Sequence, residues 1–132
     1  MGIGLVTLVV HDYEEAIAFY VGKLGWTLRH DEPSETTDGR AKRWVVVGPP
    51  DGGPGLLLAQ ADGAHQESRV GDQTGGRVGF FLYTGDIQRD VTAYRAAGVE
   101  FVRDPSAHPY GTVAVFRDLY GNQWDLIEPM ME

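Results

Sequence analysis

Apolar and polar positions along this chain follow two periods in turn, and the order in which they appear repeats. Leu5 to Val10 is a short run of aliphatic and β-branched residues and predicts a buried strand. Asp12-Tyr13-Glu14-Glu15 then carries a helix-start signature, in which an Asp and a Glu three residues on each satisfy a backbone N–H left free by the first turn. Tyr13, Ala16, Ile17, Tyr20 and Leu24 fall on one face at helical spacing, with Gly22 and Gly25 around the stop and Gly25 suited to a left-handed cap. Trp26 to Arg29 predicts a strand, Asp31 to Ala41 a polar loop, and Arg43 to Val47 and Leu56 to Gln60 two more strands. The Gly/Pro-rich turn Gly48 to Gly55 joins that last pair.

After a polar, small-residue stretch from Ala61 to Gly76 the pattern starts again. Val78 to Thr84 predicts a strand, Asp86 a helix cap, Ile87, Val91 and Tyr94 a buried helix face, and Gly98 the stop. Val99 to Val102, Thr112 to Phe116 and Trp124 to Ile127 follow as strands, the last two flanking Asp118-Leu119-Tyr120-Gly121-Asn122. Sliding one half onto the other lays Leu8 on Leu82, Asp12 on Asp86, Ile17 on Val91 and Tyr20 on Tyr94. A duplication accounts for this order. The expected fold class is α+β: two βαβββ modules in tandem, forming a curved mixed sheet around a central cavity. One domain spans 1–132, with module one at about 1–61, a linker at about 62–76 and module two at about 77–132. Two concave faces side by side predict a trough between the modules, the kind of junction that pockets favour.

Composition narrows the function classes. At 132 residues there is room for one domain with a real core. The absence of cysteine excludes disulfides, zinc–thiolate sites and cysteine nucleophiles. A formal charge of −8, with no Lys/Arg cluster to offset it, argues against nucleic acid and anionic lipid as partners. No apolar run approaches the length that crosses a bilayer, and no basic stretch precedes an apolar core at Met1-Gly2-Ile3-Gly4. The expected location is therefore cytoplasmic. There is no Ser-His-Asp arrangement, P-loop or dinucleotide fingerprint, and Gly52-Gly53-Pro54-Gly55 is a turn with no helix behind it.

Two stretches carry a family resemblance. One is Val6-Thr7-Leu8-Val9-Val10-His11-Asp12-Tyr13-Glu14-Glu15-Ala16-Ile17-Ala18-Phe19-Tyr20, followed by Leu24-Gly25-Trp26. The other is Phe116-Arg117-Asp118-Leu119-Tyr120-Gly121-Asn122-Gln123-Trp124-Asp125-Leu126-Ile127-Glu128-Pro129. With these the chain resembles the vicinal oxygen chelate superfamily, the glyoxalase/bleomycin resistance/extradiol dioxygenase group. The resemblance covers nearly the whole chain. It implies paired βαβββ modules, often a homodimer, and no single reaction, because one fold hosts many chemistries.

Enzymes of that superfamily hold a divalent metal with His, Glu or Gln side chains from strands of both modules. At the positions the resemblance marks for those ligands, this chain has Leu5 and Gly79, and Leu57, Leu58 and Gln60 flank the place where some members carry a carboxylate; only the last strand keeps a candidate, Asp125, where Glu is common. One carboxylate facing Leu and Gly is a poor transition-metal site, since ligand number and geometry set affinity. The expectation is no metal and no other cofactor, which puts lyase, isomerase and dioxygenase chemistry in doubt.

The candidate site residues follow. Asp125, inside an apolar strand, suits proton transfer or the grip of a cationic group, since burial raises a carboxyl pKa. His108, in His108-Pro109-Tyr110-Gly111, is the alternative acid/base; a solvated loop histidine is its bland counterpart. Trp44, Phe81, Tyr83, Tyr110 and Trp124 supply rings for a planar ligand, each stacked pair contributing about 0.5–1.5 kcal/mol beyond area burial, against plain core packing. Arg77 either pairs with Asp125 across the cavity, binds an anionic ligand, or is a surface arginine. His11 points to the trough rim or to solvent; His30 and His65 are solvated, and Tyr20 and Tyr94 are core. The function expected first is binding of a small organic molecule without a catalytic metal. The alternatives are a metal-dependent enzyme of the superfamily, a metal-free enzyme using Asp125 or His108, and a structural subunit with a vestigial trough.

Overall fold

The computed structural model describes residues 1–130. The chain falls into two compact units, one running from Met1 to Gly71 and the other beginning at Asp72. The expected end of module two, at 132, lies outside the described residues.

In the first unit, strand β1 (Leu5–Val10) leads to helix α1 (Tyr13–Ile17), which continues as a π-helical turn over Ala18–Lys23. Strands β2 (Thr27–Glu35), β3 (Ala41–Gly48) and β4 (Gly55–Gln60) follow, then a short helix α2 (Ala64–Glu67). The second unit repeats the plan with β5 (Phe80–Tyr83), α3 (Ile87–Ala96), β6 (Glu100–His108), β7 (Gly111–Arg117) and β8 (Gln123–Pro129). The sheet orders are β1-β4-β3-β2 and β5-β8-β7-β6. In each sheet the first and last strands of the unit run parallel and the other neighbours antiparallel. This is the α+β architecture of two βαβββ units that the repeat predicts.

Local chemistry sets the helix ends. Asp12 accepts from the Glu15 N–H at 2.9 Å and Asp86 from the Arg89 N–H at 3.1 Å. Each carboxylate thus satisfies a donor that the first helical turn leaves orphaned. Gly25 and Gly98 close the helices at φ of 73° and 89°, a backbone region that side chains disfavour.

Three sequence expectations are corrected. The loop predicted over Asp31 to Ala41 contracts to residues 36–40, because β2 runs on through Pro33 to Glu35. β6 likewise runs through Pro105. Both prolines are tolerated because β2 and β6 are edge strands, where a missing N–H costs no ladder bond. The stretch expected as the linker contains the short helix α2. And β5 begins only at Phe80, which leaves Arg77 exposed in a bend ahead of it.

Each sheet packs one face under its helix. In the first unit Leu8, Val10, Val45, Val47 and Leu58 are fully buried there with Tyr20. Full burial of such side chains is worth roughly 1.5–3 kcal/mol each. In the second unit Phe80 stacks on Trp124 at 4.5 Å between ring centroids. Phe116 stacks on the other side of that indole at 5.9 Å, and Tyr94 of α3 meets Phe116 edge-on. Register puts Phe80, Trp124, Phe116 and Phe101 in one row across the strands, so this face is a ladder of rings under the helix.

Candidate functional site

Alternation decides what the opposite face of the second sheet carries. Because successive side chains in a strand point to opposite faces, Asp125 and Ile127 project away from the side that buries Trp124 and Leu126. Register places Phe81 beside Asp125 on β8's parallel neighbour, and Val115 and then Arg103 on its other side. One row of the helix-free face therefore reads Phe81, Asp125, Val115, Arg103. In the next row Tyr83 neighbours Ile127 and Val113. Phe81 and Tyr83 are 58% and 66% exposed, whereas Val115 and Ile127 are buried, so the face passes from a covered apolar floor to two free rings.

Asp125 stands where these meet, half-buried. Desolvation raises its pKa above the ordinary aspartate value, and the positive charge of Arg103 partly opposes that rise. The cation near Asp125 is thus Arg103 and not Arg77. Arg77 lies in the bend before β5, its carbonyl accepting from the Thr74 hydroxyl at 2.6 Å, and it makes no ion pair among the described residues. Sequence reasoning missed Arg103, because alternation puts Phe101 and Arg103, two apart on one strand, on the same face, and only a bulge in the β6–β7 register moves them to opposite faces.

The other candidates separate from Asp125. Trp124, expected at the ligand, is 3% exposed in the ring ladder on the helix side. Asp125 and Trp124 are adjacent in one strand and so cannot share a face. His108 ends β6 opposite Gly111, with its Nε2 3.1 Å from the Ser106 hydroxyl and its ring stacked on Tyr110 at 5.3 Å. The two rings cap the β6–β7 hairpin, both exposed. Gly111 and Val115 are four residues apart on β7, so His108 lies about 13 Å along the strand from the Asp125 row. These two groups do not form an acid/base pair.

His11 and Trp44 belong to the first unit. The His11 imidazole contacts the Glu67 carboxylate of α2 at 3.2 Å, and that hydrogen bond and charge raise its pKa. Trp44, on β3, is 39% exposed and lines a cleft of about 370 Å³. Sequence reasoning identified neither the cleft nor Arg40, whose guanidinium bridges Asp38 and Asp62 beside it.

Where the resemblance implies a metal, the residues do not fit one. Leu5 and Gly79 offer hydrocarbon or hydrogen, Leu57 lies on the helix-free face of its sheet without a donor, and Asp125 has an arginine near it. Among the described residues no group of three or more His, Asp or Glu side chains is placed to share an ion.

Comparison with known proteins agrees with this fold. Residues 2–126 match the Glyoxalase/Bleomycin resistance protein/Dioxygenase superfamily. An uncharacterised protein of Shewanella frigidimarina is 51% identical over 124 residues, covering 93% of this chain and 90% of that protein. The crystal structure of UcmS2 superposes with a TM-score of 0.81 at 31% identity, over 97% of this chain and 98% of that one. TnmS3, an antibiotic binding protein from Streptomyces sp. CB03234, superposes at 0.78 with 28% identity, over 98% and 97% of the two chains. The chain belongs to the Glyoxalase/Bleomycin resistance protein/Dioxygenase superfamily.

Proposed function

We propose that this protein binds a small organic molecule against the helix-free face of its second unit, without a catalytic metal. The observation that carries the proposal is the half-buried Asp125 carboxyl between Phe81 and Val115, with exposed rings at Phe81 and Tyr83 and, among the described residues, no group of three or more His, Asp or Glu side chains placed to share an ion. Rings give a flat molecule a stacking surface. The carboxylate then selects a ligand with an amine or another hydrogen-bond donor on its edge. The likeness to an antibiotic binding protein supports a ligand of antibiotic size. Homodimer formation belongs to the same proposal and rests on the family resemblance; sedimentation should give twice the 14.5 kDa chain mass.

The test is a thermal-shift screen of planar organic molecules, followed by titration of the best one into the Asp125→Asn variant. A charge-assisted hydrogen bond is worth roughly 1.5–3 kcal/mol, so affinity should fall at least about tenfold, with the fold intact by circular dichroism. Unchanged affinity, with any conversion of the bound molecule also unchanged, removes Asp125 from the site. The raised pKa of the same carboxyl also suits proton transfer. Conversion of the bound molecule, lost in Asp125→Asn with its affinity retained, would favour catalysis over simple binding.

A further inference from the structure

The two units share one strand order but differ in one ladder. In the second, β7 and β8 pair along their whole length, from Arg117↔Gln123 to Gly111↔Pro129. In the first, the equivalent strands β3 and β4 pair only from Val47↔Leu56 to Val45↔Leu58. Both strands continue beyond that point, β3 back to Ala41 and β4 on to Gln60, but they part.

Tyr13 explains how the parted edge is tolerated. Its hydroxyl donates to the Arg43 carbonyl and accepts from the Arg43 N–H, both at 3.3 Å, and so takes the place of the missing β4 partner. The duplication lays Tyr13 on Ile87, which has no hydroxyl, and in the second unit the ladder stays closed. At the far end Arg40 spans the gap to Asp62 in a forked pair at 3.1 and 2.7 Å. What lies between is the cleft of about 370 Å³, lined by Trp44, Leu57 and Ala59 on its apolar side.

The charges around it are unequal in their availability. Arg40 is engaged by Asp38 and Asp62, and Arg43 by Asp31 and Glu14, while Asp62 is engaged by Arg40. Lys42 also lines the cleft, two residues from Trp44 and therefore on the same side of β3, and has no ion-pair partner among the described residues.

We propose that this gap between β3 and β4 is a binding site for small aromatic anions. The ring lies against Trp44, Leu57 and Ala59, and the carboxylate or sulfonate meets the Lys42 ammonium. The site is built from residues of the first unit and the face around Asp125 from residues of the second, and neither proposal is argued from the other.

The test uses the full-length protein and two probes of one shape, 2-naphthoate and neutral 2-naphthamide. Calorimetry gives affinities, and backbone-amide NMR shifts give the location. The expected result is at least a tenfold preference for the naphthoate, with shifts centred on Lys42, Trp44 and Ala59. Lys42→Gln should erase the preference and leave naphthamide affinity unchanged, and Trp44→Leu should weaken both probes. Equal affinity for the two probes, or a preference that survives Lys42→Gln, overturns the proposal. So do shifts centred on Arg103, which would assign the anion to the second unit.

Discussion

Asp125 shows how one carboxyl ties the candidate site to the stability of the fold. Its pKa is raised in the folded protein, first by desolvation, so between the unfolded and folded values the native state holds more proton than the unfolded chain. Stability then falls as pH rises through that window. The penalty is absent below the unfolded pKa and fully present above the folded one. Asp125→Asn removes the titrating group, so the melting temperature of the variant relative to the parent should climb as pH is taken from 3 to 7 and then level off. Parallel melting curves across that range would show that the carboxyl is not desolvated. At this scale the sequence disclosed the chemical type of the residue but not its company. Trp124 and Arg103 changed places in importance because the face each occupies depends on strand alternation and on bulges, and bulges leave no mark in a single sequence.

At the scale of elements, what could be read from the chain was what local chemistry decides. The caps at Asp12 and Asp86, the glycine stops at Gly25 and Gly98 and the order of strands and helices all depend on contacts within a few residues. Strand length was not legible, since Pro33 and Pro105 signal loops unless the strand lies at an edge, and edge position is a property of the whole sheet. The parting of β3 and β4 was hidden for the same reason: Tyr13 and Arg43 are far apart in sequence, and Tyr13 read simply as a helix-face residue. The hairpin between β6 and β7 offers a test of an element whose geometry depends on one residue. Gly111 has a φ of 149°, and a Cβ there would stand 2.3 Å from the Glu128 carbonyl oxygen on β8. Neither the backbone nor a strand carbonyl yields as a flexible side chain does. Gly111→Ala should therefore destabilise the protein by about 3 kcal/mol, from overpacking and backbone strain together. Urea unfolding measures it, with the midpoint expected to drop at an unchanged slope.

For the whole molecule, duplication supplied two units of one topology, and each has since been given different chemistry. The first has a parted ladder with Lys42 and Trp44 beside it; the second has an intact ladder with a carboxyl on its helix-free face. In neither unit do the described residues assemble a metal-binding set, although the superfamily to which the chain belongs includes dioxygenases by name. This leads to a prediction about the purified protein. Imidazole and carboxylate donors bind Zn, Ni, Fe or Mn tightly only when several converge with suitable geometry, and a lone Asp125 near Arg103 lacks both number and charge balance. Protein prepared without chelating resin should contain well under one equivalent of any of these metals per chain by elemental analysis. Adding them should leave the melting temperature unmoved, because an ion that does not bind the native state cannot stabilise it. About one equivalent retained through dialysis, or a rise in melting temperature that saturates with one of these ions, would mean that the donors converge in a way neither unit shows by itself. It would also move the protein from binding toward metal-assisted catalysis.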